Sequence, residues 1–155
     1  MSDAETFKKL FTVEEANATL PLVRAIATDL AILSREVIER RERLAALHGS
    51  RRPSNKAHDA YSEELAQIEE ELTKDSERLH EYVEELRSLG VEPKNGPEGL
   101  IDFPSRMDGH IVYLCWKLGE PEVLHWHELD AGFRGRQSLY AESISGEDVA
   151  DDQSV

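Results

Sequence analysis

The sequence has little cysteine and little positive charge, and it lacks long apolar runs. Its single cysteine, Cys115, rules out an intramolecular disulfide, a Cys-pair zinc ribbon and a redox Cys-x-x-Cys motif. Lys and Arg number 18 against 32 Asp and Glu, and the net charge of −14 argues against a protein that tracks nucleic-acid phosphates. No apolar run approaches the roughly 18 residues that span a bilayer, and none resembles a signal peptide. We therefore expect a cytoplasmic protein with neither a nucleic-acid nor a membrane partner.

The 155 residues suffice for one domain and leave no room for a second substantial core. We place this domain at residues 1–140, with a helical hairpin at 12–90 and a β-meander at 91–140. The last segment, 141–155, contains five acidic residues, no basic residue and few apolar ones, so it predicts a disordered acidic tail.

Local signals and a seven-residue apolar repeat predict the two helices. Thr12 and Glu15 have the spacing of a capping box, and Pro21 predicts a kink or a break soon afterwards. Gly49 and Gly90 have the character of helix stops. The seam of the first helix consists of Val23, Ile26, Leu30, Leu33, Val37, Arg40, Leu44 and Leu47. The seam of the second consists of His58, Tyr61, Leu65, Ile68, Leu72, Asp75, Leu79, Tyr82, Leu86 and Leu89.

A short connection between two such segments predicts antiparallel neighbours. The register that matches seam with seam places Leu47 opposite His58 and Arg40 opposite Leu65, which separates Arg40 from Asp75 within one hairpin. One hairpin leaves apolar surface beside its seam, so we expect a homodimer through the hairpin, as a four-helix bundle. Arg40 would then pair with Asp75 of a second copy, or both side chains would reach water.

After Gly90 the pattern changes to that of a small antiparallel sheet. The predicted strands are 100–103, ended by Pro104, and then 110–117 and 122–128, with a turn at 118–121. The pairing we expect puts one set of side chains on a common face: His110, Val112, Leu114, Trp116, Val123, His125 and His127. Cys115 falls on the opposite face among aromatic residues, where it is expected to be a buried packing residue.

Three imidazoles on one face suggest a metal site. His110, His125 and His127, with Asp108 or Asp130, offer ligands suited to zinc or iron. The alternative is that these histidines are hydrogen-bonded packing residues of a half-buried sheet.

A second candidate is an anion site in the segment 127–136. Arg106, Arg134 and Arg136 could clamp a carboxylate or phosphate. The alternative is an ordered turn whose arginines pair with neighbouring acids, namely Asp102, Asp108 or Glu128.

Several motifs in order resemble DUF2203, a family of small prokaryotic proteins of unknown function. They are Phe11–Asn17, Leu20-Pro-Leu-Val, Gly99–Arg106, Cys115–Glu120 and Trp126–Phe133. The resemblance implies no activity, substrate or partner. At the position before Trp126 we expect an aromatic or variable residue in this family, and this sequence has His125. The resemblance therefore favours a polar cluster as the feature common to the family, rather than a three-histidine metal site. The cluster would consist of His127, Glu128, Asp130 and Arg136.

The predicted fold class is α+β: a long antiparallel, coiled-coil-like helical hairpin followed by a small antiparallel β-meander. The predicted function is a non-enzymatic homodimerising interaction module. Two alternatives stay open. One is a metal-dependent enzyme or metal-binding protein that uses the histidines of the meander, and the other is a binder of small anions. The candidate ligand-binding residues are Asp102, Arg106, His127, Glu128, Asp130, Arg134 and Arg136.

Overall fold

The computed structural model describes residues 7–49 and 60–140, so the predicted acidic tail and His58 lie outside the described residues. Two helices, α1 (Val13–Gly49) and α2 (Ala60–Ser88), precede the sheet. The predicted capping box starts α1. The amide of Glu15 donates to Thr12 Oγ1 at 3.0 Å, and the amide of Thr12 donates to Glu15 Oε1 at 2.9 Å. The described part of α1 reaches Gly49, where the sequence predicts its end.

The helix α1 continues through Pro21 without a break. Proline removes one backbone donor from a helix and strains the preceding turn. On both sides of it, Leu20 and Val23 are buried in the core that α1 shares with the sheet. Burial of these side chains offsets the missing hydrogen bond, and the helix stays continuous.

The register of the hairpin differs from the one expected. The guanidinium of Arg40 bonds to the carboxylate of Asp75 in the same chain, and its Nε also lies 3.7 Å from Glu71 Oε1. The prediction that these two residues cannot meet within one hairpin is therefore wrong. A row of similar apolar residues fits its partner row in more than one axial alignment, so the seam leucines alone do not determine the register of the two helices. The long side chain of Arg40 can also reach acids on neighbouring turns of α2.

The second half of the chain forms a five-stranded antiparallel meander, which confirms the α+β class. Its strands are β1 (Glu92–Asn95), β2 (Leu100–Met107), β3 (His110–Lys117), β4 (His125–Glu128) and β5 (Gln137–Ser138), paired in chain order. The strands β1 and β5 are too short to show a clear alternation of apolar and polar residues, so the sequence did not predict them.

Strand β2 runs past Pro104, where the sequence predicted its end. β1 pairs only as far as Asp102, so Pro104 lies beyond the reach of that neighbour. Its carbonyl accepts a hydrogen bond of 2.7 Å from the amide of Phe11, in the segment before α1. A proline is tolerated in a strand where no ladder partner needs its missing N–H.

The pairing of β3 with β4 is one residue away from the expected pairing. Tyr113 lies opposite His127, and Cys115 lies opposite His125. A slip of one residue moves every side chain of a strand to the other face of the sheet. The expected common face of His110, His125 and His127 is therefore wrong.

The two faces of the sheet have different environments. One face packs against the helices and forms the core with Phe11 and the buried half of α1. Its fully buried side chains include Ile101, Phe103, Val112, Leu114 and Trp116. The other face, which we call the polar face, carries Asp102, Tyr113, Cys115, His125 and His127, as the strand pairings dictate.

Helix α1 is long and apolar enough to cross a membrane by length and composition alone. An 18-residue window within it has a mean hydropathy of 1.3 and at most two charged residues. In this fold 44% of that window is buried, and the core helix of a globular domain can have the same length and composition. The hydropathy of α1 is therefore weak evidence for a membrane span.

Candidate functional site

The polar face contains a compact group of three potential ligands on three adjacent strands. Asp102 of β2, Cys115 of β3 and His127 of β4 are buried, with relative exposures of 2%, 0% and 2%. One ligand atom from each lies within 4.8 Å of the other two. We call these three residues the buried cluster.

Strand pairing brings the buried cluster together. Asp102 is directly opposite Cys115 in the β2–β3 ladder, so the two side chains share a face. His127 is opposite Tyr113, two residues along β3, and therefore lies diagonally across from Cys115 on that same face. Each side chain is positioned by a regular strand, which makes the geometry rigid.

Both ring nitrogens of His127 are engaged. Its Nδ1–H donates to the carbonyl oxygen of Glu128 at 2.7 Å, since a carbonyl can only accept. Its Nε2 lies 3.1 and 3.2 Å from the two carboxylate oxygens of Asp102. The carbonyl fixes the ring orientation and aims Nε2 into the cluster.

Burial opposes negative charge in the cluster. It raises the pKa of the Asp102 carboxyl, an effect that His127 and Lys94 partly counter. It also raises the pKa of the Cys115 thiol to about 12, with the nearby Asp102 carboxylate adding to the rise. At neutral pH Cys115 is therefore a protonated thiol, which makes it a poor nucleophile unless a cation replaces the proton.

Aromatic side chains flank the cluster. The Tyr113 ring lies 5.6 Å from the His127 ring, and the edge of Phe7 meets Tyr113 with a centroid separation of 5.8 Å. Aromatic side chains bury a large apolar surface, so these rings place apolar cover beside the polar groups of the cluster.

The three histidines of the predicted metal site are divided between two faces. His110 points away from the buried cluster, and its Nε2 lies 3.2 Å from Glu128 Oε1. His125 is on the polar face with Nδ1 3.9 Å from Glu120 Oε2, and burial together with the Arg136 charge lowers its pKa. His127 alone of the three lies in the cluster.

The three predicted anion-binding arginines do not converge. Arg136 donates to both oxygens of Glu120, at 2.8 and 2.9 Å, and to the carbonyl of Cys115 at 3.3 Å. Arg106 lies near the β2–β3 turn, opposite Ile111. Ile111 is four residues from Cys115 along β3, which corresponds to about 13 Å at 3.3 Å per residue, so Arg106 is far from the buried cluster. Arg134 is exposed on the short 3₁₀ turn Phe133–Gly135.

The remaining predicted site residues are scattered. Asp130 is exposed in the turn after β4, and Glu128 is half-buried against His110. The structure thus brings together two of the seven candidate ligand-binding residues, Asp102 and His127, and adds Cys115, which the sequence analysis assigned to packing. One signal in the sequence was Asp102 itself, an acid directly between the apolar residues Ile101 and Phe103 of a predicted strand.

The Glu120–Arg136 pair gives a prediction of pH-dependent stability. Burial works to raise the pKa of Glu120, but hydrogen bonds from Arg136 and from the amide of Lys117 outweigh it and lower the pKa below its ordinary 4.5. A carboxylate with a lowered pKa stabilises the fold above its unfolded pKa, and that contribution is lost as the pH falls through the folded value. We expect Glu120→Gln to lower the free energy of unfolding by about 1–2 kcal/mol at pH 7.

Urea denaturation of wild type and Glu120→Gln between pH 7 and pH 3 measures this effect. The two stabilities should converge in acid, where the wild-type carboxyl is also neutral. Glu122→Gln, at an exposed position two residues away, is the control and should change little. A constant difference across the whole pH range would contradict the electrostatic explanation.

The buried cluster combines a carboxylate, a thiol and an imidazole. These groups are the oxygen, sulfur and nitrogen donors that Zn²⁺ uses in proteins. Four-coordinate Zn²⁺ holds such donors about 3.3–3.6 Å apart, a spacing that the cluster reaches by small side-chain movements. Without a cation, the same groups form a buried hydrogen-bonded network.

Comparisons with known proteins place the chain in a family without assigning it an activity. The family described as uncharacterized conserved protein, DUF2203, matches residues 9–139, which include the helices and strands of the described residues. No curated protein and no solved structure matches the chain. The chain therefore belongs to the DUF2203 family.

Proposed function

We propose that this protein binds a divalent transition metal, zinc or iron, through Asp102, Cys115 and His127. The observation that carries the proposal is the convergence of three different ligand types, from three strands, within 4.8 Å in a buried site. This ligand set replaces the three-histidine set predicted from the sequence. The proposal includes a reducing compartment such as the cytoplasm, because Cys115 must stay a thiol.

Charge balance supports the proposal. A carboxylate and a thiolate together carry two negative charges, which a divalent cation neutralises. Burial opposes those charges in the empty cluster and raises the pKa of both acids. A bound metal supplies the missing positive charge, and a coordinating thiol loses its proton outright.

The support around His127 also matches a metal ligand. Metal-binding histidines characteristically donate their second ring N–H to a carbonyl or carboxylate, which fixes the tautomer. The bond from His127 Nδ1 to the carbonyl of Glu128 has this arrangement and leaves Nε2 for the metal. Three protein ligands would leave one position of a four-coordinate ion for water or a substrate, as in catalytic zinc sites.

Elemental analysis of the protein purified without a polyhistidine tag tests this proposal. We expect metal in stoichiometric amount, or binding of added Zn²⁺ that raises the denaturation midpoint. Cys115→Ala should weaken binding by more than about 100-fold, beyond the 10–100-fold lost when a supporting residue is removed. His125→Gln is the matched control, because His125 lies directly opposite Cys115 on the neighbouring strand β4 and on the same face, and it should bind as wild type does.

Two results would contradict the proposal. One is a metal-free native protein that gains no stability from Zn²⁺ or Fe²⁺. The other is unchanged affinity in a folded Cys115→Ala variant.

The homodimer stays a second candidate function because several apolar residues in the described outer half of the hairpin are exposed or half-buried. Among the described residues, the core shared with the sheet contains α1 side chains up to Leu30 and α2 side chains from Leu79 onward. Farther out, Ile38 is 42% exposed. The seam residues Leu44, Leu47, Leu65 and Leu72 are only half-buried. A second hairpin packed there would make a four-helix bundle without needing the Arg40–Asp75 pair, which forms within one chain.

Light scattering over a dilution series tests the dimer. Ile38→Glu should shift the protein to monomer, since it places a charge in the proposed interface. Ile32→Glu is the matched control, because Ile32 is 52% exposed on the same helix and lies on another side of it. A wild-type monomer at micromolar concentration would contradict the dimer.

A further inference from the structure

Lys94 connects the buried cluster to solvent. It lies in β1 at the irregularity between Pro93 and Asn95, two residues from Glu92, which pairs with Asp102. Its ammonium lies 3.9 Å from Asp102 Oδ2 and 4.4 Å above the centre of the Tyr113 ring. The Lys94 side chain is 38% exposed, whereas that of Asp102 is 2% exposed.

The groups that face the Asp102 carboxylate come from three strands. His127 and Cys115 approach it from β4 and β3 as potential ligands. Lys94 approaches from β1, and among these three it alone has a fixed positive charge and a solvent-exposed stem. The neighbouring Tyr113 and Phe7 rings are uncharged and cover the cluster without competing for the carboxylate.

We propose that Lys94 controls metal access to the buried cluster: its ammonium neutralises Asp102 while the site is empty, and swings into solvent when a metal takes the carboxylate. This inference rests on the proposed metal site. A lysine ammonium and a divalent cation repel each other, and both are attracted to the same carboxylate. Lysine suits such a role because its charge is at the end of a flexible four-carbon stem.

The position of Lys94 has a consequence for affinity. Metal binding must break the Lys94–Asp102 contact and move a charge away, so the lysine weakens the metal at equilibrium. In Lys94→Met the stem can still cover the Tyr113 ring, but the competing charge is absent. We expect this variant to bind Zn²⁺ about tenfold more tightly. This gain is at the lower end of what the removal of one charge so close to the Asp102 carboxylate can produce, because the Lys94 ammonium of the wild type can move into water when the metal binds.

A competition titration of Zn²⁺ against a chelating indicator measures the change. Lys117→Met is the matched control, because the Lys117 side chain is 39% exposed and its ammonium also lies near a carboxylate and over a ring. The partners of Lys117 are Glu98, at 3.4 Å, and Phe133, at 5.5 Å, both outside the buried cluster. We expect Lys117→Met to bind as wild type does, and Lys94→Arg, which keeps the charge, to keep the weaker wild-type affinity.

The outcomes separate this inference from the metal site itself. Wild type that binds Zn²⁺ with an affinity equal to or above that of Lys94→Met would overturn the role of Lys94 and leave the metal site standing. Failure of both proteins to bind would overturn the metal site and this inference together. If Lys94→Met binds Zn²⁺ and the wild type does not, the result would support competition between the Lys94 charge and the metal. It would also contradict the proposal that the native protein binds a metal.

Discussion

Replacing Asp102 by valine is expected to lower the free energy of unfolding by about 3–5 kcal/mol, because it leaves a buried ring nitrogen of His127 without its hydrogen-bonding partner. The Nε2 atom of His127 would then face apolar surroundings at 2% exposure. His127→Leu should cost a similar amount, because the Asp102 carboxyl group would stay buried and lose its hydrogen-bonding partner on β4. Urea denaturation at pH 7, without added metal, measures both changes.

The double variant Asp102→Val with His127→Leu should recover most of that loss and fall within about 1 kcal/mol of wild type. Desolvation of two polar groups roughly cancels the attraction between them, so a well-packed apolar pair of similar volume is often as stable. The double-mutant cycle therefore should show a large coupling energy. A double variant as unstable as the sum of the two singles would contradict this account. Recovery would mean that the pair contributes little net stability, and would favour a functional reason for its presence.

Phe103→Ala is expected to have an equally large effect for a different reason. Phe103 is fully buried, and its ring packs edge-on against Phe11 at a centroid distance of 5.2 Å. Loss of a buried phenylalanine side chain costs about 3–5 kcal/mol, because apolar contact is lost and a cavity remains. This contact joins the segment before α1 to the centre of the sheet, so the loss should affect the whole fold.

Urea denaturation measures the loss in Phe103→Ala. The slope of the unfolding free energy against urea concentration should stay unchanged, which indicates a change of stability rather than of the unfolded state. Phe133→Ala provides the matched control, since Phe133 is 38% exposed and contacts Lys117 and Arg136 mainly through its ring face. We expect it to cost less than about 1 kcal/mol. Equal losses in the two variants would show that Phe103 does not have the core role assigned to it.

Features of the chain that depend on near neighbours in sequence could be predicted. Examples are the capping box at Thr12 and Glu15 and the long strand 110–117, which depend on residues within a few positions of one another. Caps satisfy backbone groups of their own first turn, and apolar periodicity reflects the repeat of the element itself. These signals were sufficient for the α+β class and for the two long helices.

The candidate site could be predicted only in part, because it depends on register. Asp102 and His127 were both singled out as polar residues, but Cys115 was placed on the opposite face from the histidines. One residue of slip between β3 and β4 accounts for that error. The loop between these strands is long enough to allow either pairing, so the local sequence does not choose between them.

By itself, the sequence determined the two long helices and the presence of the three central strands, because hydrogen bonding and side-chain periodicity within each of these segments are local. Only the tertiary structure decided how those segments align. Asn17 of α1 accepts a 2.7 Å hydrogen bond from the amide of Val123, and Arg24 donates to the carbonyl of Pro121 at 2.9 Å. These contacts anchor the loop before β4 to a helix about a hundred residues away in the chain. The position of that loop sets which face His127 occupies, and so brings His127 to Asp102 and Cys115.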